Sequence, residues 1–145
     1  NPRIAYSAFN TQLHGIDARK TAHAPDFAEV MAHLLPLMTG QPIVQHSTFD
    51  QRAVNAACAH YGLPTPPLAW VNSVTIARKA WPEWLGNGGH GLGHLKKALS
   101  LDFHHHDAGE DARAAALVVL LAEERLQRSA VEPLVPKALR PWREG

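Results

Sequence analysis

The stretch Pro42-Ile43-Val44-Gln45-His46-Ser47-Thr48-Phe49-Asp50 decides the fold. Pro42 to Gln45 is a short apolar run bounded by proline and polar residues, the pattern of a buried strand. Ser47 and Thr48 then offer helix caps, and Gln51 stands three residues after Thr48, a capping-box spacing. The helix so started is predicted from about Thr48 to Tyr61, with Phe49, Ala53, Ala56 and Ala57 on one face and Gly62 ending it. A strand that passes directly into a helix is the unit of an α/β layer.

Working outward, the same alternation continues. Upstream, Phe27, Val30, Met31, Leu34 and Met38 follow helical spacing; Pro25 suits the first turn, Pro36 the last, and Gly40 the stop. Before that, Asn1 to Thr21 mixes short apolar and polar pieces and reads as a strand end or loop. Downstream, the stiff connector Leu63-Pro64-Thr65-Pro66-Pro67 leads to a second strand, Leu68 to Val71, and a brief helix from Val74 to Ala80. Trp81 to Gly91 is a loop rich in glycine and tryptophan, followed by a short helix lined by Leu92, Leu95 and Leu99. Asp107, with Glu110 three residues on, caps a last long helix to about Gln127; Ala108, Ala112, Ala115, Ala116, Val119 and Leu120 form its predicted apolar face. Residues 129–145 carry Pro133, Pro136 and Pro141 and are expected to be an extended surface tail behind a domain over 1–128. Two parallel strands alone make a poor sheet.

Composition bounds the function. The chain has 145 residues, 46% hydrophobic and 19% charged, which excludes wholesale disorder, collagen and a coiled coil. Its longest near-apolar run, Ala114 to Ala122, is about half of what a membrane span needs, so no membrane partner is expected. A net charge of +1 excludes a protein that coats nucleic acid by charge alone, though not one with a small basic groove. Cys58 is the single cysteine, which excludes an intramolecular disulfide and a thiolate zinc cluster and fits a reducing, cytoplasmic setting.

Two carboxylates stand in first helical turns, Asp50 and Asp111. In open α/β sheets functional groups gather beyond the carboxyl ends of strands, which is where Asp50 falls. Ionised oxygens at a helix N-terminus suit Mg²⁺ or Mn²⁺; a first-turn Asp is also a favoured residue with no chemical task. Among ten histidines, His106 precedes Asp111 by five positions. A residue just before a helix and one in its first turn can face the same cavity, where a histidine beside a metal-bound water could accept that water's proton; a solvated tract with His104 and His105 is the alternative, and adjacent ligands converge poorly on one zinc.

Five ordered pieces carry a family resemblance from about residue 2 to residue 126. His106-Asp107-Ala108-Gly109-Glu110-Asp111 resembles the third motif, H-x4-D, of the DEDDh 3′→5′ exonucleases. Val44-Gln45-His46-Ser47-Thr48-Phe49-Asp50 is similar to the second motif, V-A-H-N-x-x-F-D. Leu13-His14-Gly15-Ile16 matches an H-G-I, Ala24-Pro25-Asp26-Phe27 an A-P-x-F, and Leu92-Gly93-His94-Leu95 with Leu99-Ser100-Leu101 the helix before the third motif. The superfamily includes proofreading polymerase subunits and RNA-trimming ribonucleases.

The resemblance implies a ribonuclease H-like fold, a mixed sheet flanked by helices, and removal of nucleotides from single-stranded 3′ ends with two divalent metal ions. It makes Asp50 and Asp111 metal ligands, the former through water, and His106 the general base. His14, Ile16 and Phe49 become candidates for flanking the terminal base; Lys96, Lys97, Arg113, Trp81 and Trp84 are weaker candidates for phosphate or base contacts. Gln45 and His46 stand where the family usually has His and Asn, which puts nucleotide contacts from that loop in question. No D-x-E, the family's first motif, precedes His14. The expectation is a fragment without the first strands and two metal-binding acids, inactive alone. DNA or RNA preference, polymerase association and homodimer formation are left open, as is a non-catalytic binding module.

Overall fold

The computed structural model describes residues 1, 4–102 and 107–140. Strands β1 (Pro42–Gln45) and β2 (Ala69–Asn72) pair in parallel, with Ile43 opposite Trp70 and Val44 opposite Val71. Parallel neighbours need a crossover, and α3 (Phe49–His60) with the proline connector supplies it. Strand β2 runs straight into α4 (Ser73–Ala80), which packs on α6 (Ala108–Leu126); the short α5 (Leu92–Ala98) packs on α6 as well. The core lies between β2, α4, α5 and α6, where Val71, Ile76, Leu95 and Val118 are fully buried. Each such side chain contributes about 1.5–3 kcal/mol by leaving water. Among the described residues no helix is long and apolar enough to cross a membrane.

Several local expectations change. Residues 8–14, read as loop or strand end, form α1 (Ala8–His14). Its caps explain it: Ser7 Oγ accepts the Asn10 N–H, and Gly15 (φ +70°) closes the helix in the left-handed region with its N–H on Thr11 O. Helix α2 (Phe27–Met38) starts at a true capping box, in which Asp26 and Glu29 exchange side-chain and backbone hydrogen bonds of 3.0 and 2.8 Å. Pro36 sits inside its last turn without ending it, and only Met31 of this helix is buried.

The predicted Thr48–Gln51 capping box does not form, since Thr48 makes no side-chain cap. Gln45 takes that role from the end of the strand: its Oε1 accepts the Gln51 N–H at 3.0 Å. The buried residue of α3 is Cys58, and Phe49, placed on the inward face by periodicity, is 73% exposed. In α6 the buried face is Ala114, Ala115, Val118, Val119 and Ala122; Leu120 points out at 61% exposure. A run as uniformly apolar as Ala114–Ala122 gives periodicity little to fix the phase.

The tail is not a surface strand up to residue 140. It makes two 3₁₀ turns, Glu132–Leu134 and Lys137–Leu139, and buries Val135 at 1% exposure. Val131, Leu134 and Leu139 pack on the core. Pro133 falls in the first turn of a short helix, where its missing N–H costs nothing. Glu123 anchors the turn into the tail, accepting the Ala130 N–H at 2.8 Å. Residues 141–145 lie outside the described part.

Candidate active site

The turn from β1 into α3 carries Asp50 in the first turn of the helix, beyond the carboxyl end of the strand. Asp111 occupies the corresponding place in α6. That helix starts on Asp107, whose Oδ1 accepts the N–H groups of Gly109 and Glu110, each at 3.0 Å. The Glu110 carboxylate lies 3.8 Å from Arg113, on a mostly exposed pair. Both acids therefore place negative charge where a helix dipole favours it.

Asp50 and Asp111 open onto one cleft of about 650 Å³, bounded by α1, the β1–α3 turn and the start of α6. Val44, Leu92 and Ala115 form apolar parts of its wall, and Phe49 and Leu13 add larger apolar groups. Asp50 is exposed and Asp111 half-buried. Among the described residues no group of three or more His, Cys, Asp or Glu gathers as a metal cage. Two carboxylates in one cleft still fit a hard cation such as Mg²⁺, which commonly takes one or two carboxylates and completes its shell with water and phosphate oxygens.

His14 lines the cleft from the end of α1. Its Nδ1 accepts the Ile16 N–H at 3.0 Å, so that nitrogen carries no proton and Nε2–H is the ring's donor. Lys20 Nζ on Gly15 O, at 2.6 Å, ties the loop after α1 back to the helix end. Within that loop the Lys20 N–H, donated to Asp17 at 2.8 Å, holds the Asp17 carboxyl below its ordinary range. Ile16, expected beside the terminal base, does not line the cleft; its backbone orients His14 instead. His106 lies outside the described residues.

Asn10, which the sequence did not single out, also lines the cleft, as does His46, noted there only as a departure from the family's second motif. Asn10 precedes His14 by one helical turn and shares its face, a relation visible only once α1 is known to be a helix. Trp81 and Trp84 anchor their loop: the rings stack at 5.1 Å and Trp81 is buried. Arg113, a phosphate candidate, donates to the Asp102 carbonyl at 3.0 Å.

A family model described as Exonuclease matches residues 1–119. The chain belongs to this exonuclease family. With the relatives and the fold match that follow, it stands among the DEDDh exonucleases. It is 32% identical over 124 residues to the DNA polymerase III PolC-type of Streptococcus thermophilus strain LMD-9, covering 83% of this chain and 8% of that one. Against the PolC-type polymerase of Streptococcus agalactiae serotype III strain NEM316 it is 31% identical over 132 residues, 88% of this chain and 9% of the other. The chain thus spans less than a tenth of the length of these relatives. Exonuclease X, solved in complex with 5′ overhanging duplex DNA, superposes with a TM-score of 0.64 at 22% identity, over 90% of this chain and 73% of that one. That likeness shows the ribonuclease H-like exonuclease fold.

Proposed function

We propose that this chain carries the 3′-end-binding cleft of a metal-dependent 3′→5′ exonuclease acting on single-stranded DNA. The observation that supports it is the convergence of Asp50 and Asp111, distant in sequence, on one cleft in an exonuclease-family chain. The two carboxylates would hold divalent cations, Mg²⁺ or Mn²⁺, with Asp50 acting through water. When bound, such cations stabilise the charge that develops on the attacking and leaving oxygens.

The chain's own residues do the rest. His106 takes the proton from the water whose oxygen forms the new bond to phosphorus, as the bond to the leaving 3′ oxygen breaks. Phe49 and Leu13 offer apolar surface to the terminal base, and His14 Nε2–H donates to the nucleotide. The matching segments of the PolC-type relatives belong to DNA polymerase chains, which favours DNA over RNA and a polymerase as partner. Buried Cys58 suits a cytoplasmic setting.

The test is release of mononucleotides by the full-length protein from single-stranded DNA and RNA oligomers with Mg²⁺. DNA is expected to be cut faster, from the 3′ end, and His106→Ala to lose ~10²–10⁴ in rate. Equal rates on RNA would remove the DNA assignment, and release from the 5′ end the polarity.

A further inference from the structure

The middle residue of the turn between the strand and the Asp50 helix is strained. Ser47 has φ +80°, a left-handed conformation that side chains other than glycine seldom adopt. Such a residue persists only where its surroundings over-determine it. Here the surroundings come from two distant segments, the β2–α4 junction and the loop that ends at His90. Asn72 Oδ1, at the end of β2, accepts the Ser47 N–H at 3.1 Å and also caps α4 through the Val74 N–H at 2.9 Å. Ser73, fully buried, places its hydroxyl 2.8 Å from His46 Nδ1 and 3.1 Å from the Gln45 carbonyl. The His90 carbonyl lies 2.9 Å from His46 Nε2; a carbonyl only accepts, so Nε2 is the donor.

The support continues one layer further. His90 is itself buried, with its Nε2 2.8 Å from the Trp81 carbonyl, and Trp81 is stacked on Trp84. The glycine- and tryptophan-rich loop thus ends in a fixed carbonyl aimed at the cleft wall. Next to His46 in the chain, Gln45 caps the helix that carries Asp50.

We infer that His46 is a positioning residue. It uses both ring nitrogens to clamp the β1–α3 turn between Ser73 and His90, and so sets where the Asp50 carboxylate sits in the cleft. The inference rests on the reading of Asp50 as a metal-holding residue. His46 lines the cleft, but its polar atoms face protein, so its contribution to the site runs through the turn.

The test is Mn²⁺ binding to the full-length protein without nucleic acid, by titration calorimetry, with thermal unfolding measured on the same samples. Loss of an outer partner of a metal ligand typically costs 10–100-fold in affinity. His46 acts one step further out, through the turn, so His46→Ala is expected to weaken Mn²⁺ binding about tenfold, the low end of that range. His46→Gln keeps a donor for the His90 carbonyl and is expected to recover most of the affinity. Should His46→Ala not fold, Ser73→Ala, which trims one buried hydroxyl, is expected to weaken binding about tenfold. Unchanged affinity in a folded His46→Ala, or in Ser73→Ala where the former does not fold, would overturn the inference if Asp50→Asn still abolishes binding. Equal weakness of His46→Gln and His46→Ala would overturn it too, since the imidazole would then act by packing. Wild-type protein that binds no Mn²⁺ would overturn the reading of Asp50 along with it.

Discussion

The two walls of the cleft are built differently. One wall, the β1–α3 turn and the start of α6, grows out of the packed half of the molecule. There β2, α4, α5 and α6 bury Val71, Ile76, Leu95 and Val118, and side chains from β2 and α4 reach across to pin the turn. The other wall, α1, is held by its own caps and by Lys20 on Gly15 O. It buries no residue, and Phe9 is 72% exposed. Helix α2 behaves like α1: apolar in sequence, it leaves Leu34 and Leu37 in solvent. The difference separates two tasks. The two carboxylates proposed to hold cations would need fixed geometry, and both sit on the packed wall. His14 meets the cleft from the wall held by local bonds.

This contrast can be broken experimentally. Ile76→Ala empties a fully buried site and is expected to cost ~2–5 kcal/mol in chemical denaturation. Leu37→Ala, on α2, is expected to stay within ~0.5 kcal/mol. Comparable losses from both would show that the halves are equally packed. Phe49→Ala should leave stability nearly unchanged, because the ring is 73% exposed, yet raise KM for a single-stranded oligomer about tenfold, since base–aromatic stacking is worth ~1–3 kcal/mol. An unchanged KM would remove Phe49 from the substrate surface.

Smaller effects test the helix starts. Asp107→Ala deletes the side chain that accepts two N–H groups at the start of α6 and is expected to cost ~1 kcal/mol of stability, read from the unfolding midpoint. Ser47→Gly relieves a left-handed backbone and loses only the long Phe49 N–H bond of 3.3 Å. A net gain of no more than ~1 kcal/mol is expected, and a clear loss of stability would show that the turn is not strained.

How much was legible in the sequence varied by element, for physical reasons. Strand β1 was readable because Pro42 and polar neighbours bound its apolar run. Helix α1 was not, because Phe9 and Leu13 stay exposed and give no inward stripe; Ser7 and Gly15 as caps were the available signal. The tail was misread because three prolines look extended, whereas Pro133 starts a 3₁₀ turn and Val135 inserts into the core. For the site, Asp50 and Asp111 stood out by their first-turn positions and by the family resemblance, and the structure brings both to one cleft. The clamp on His46 was invisible, because Ser73 and His90 lie 27 and 44 residues away and are joined only by the fold.

Asp50 and Asp111 are proposed together to hold the cations that assist cleavage of a 3′-terminal phosphodiester. This role is tested most directly by timing Mg²⁺-dependent release of mononucleotides from single-stranded DNA by the full-length protein, wild type against Asp50→Asn and Asp111→Asn. Several kcal/mol of transition-state stabilisation ride on such cations, so each variant is expected to fall by roughly 10²-fold or more. Wild-type rates in both variants would contradict the account.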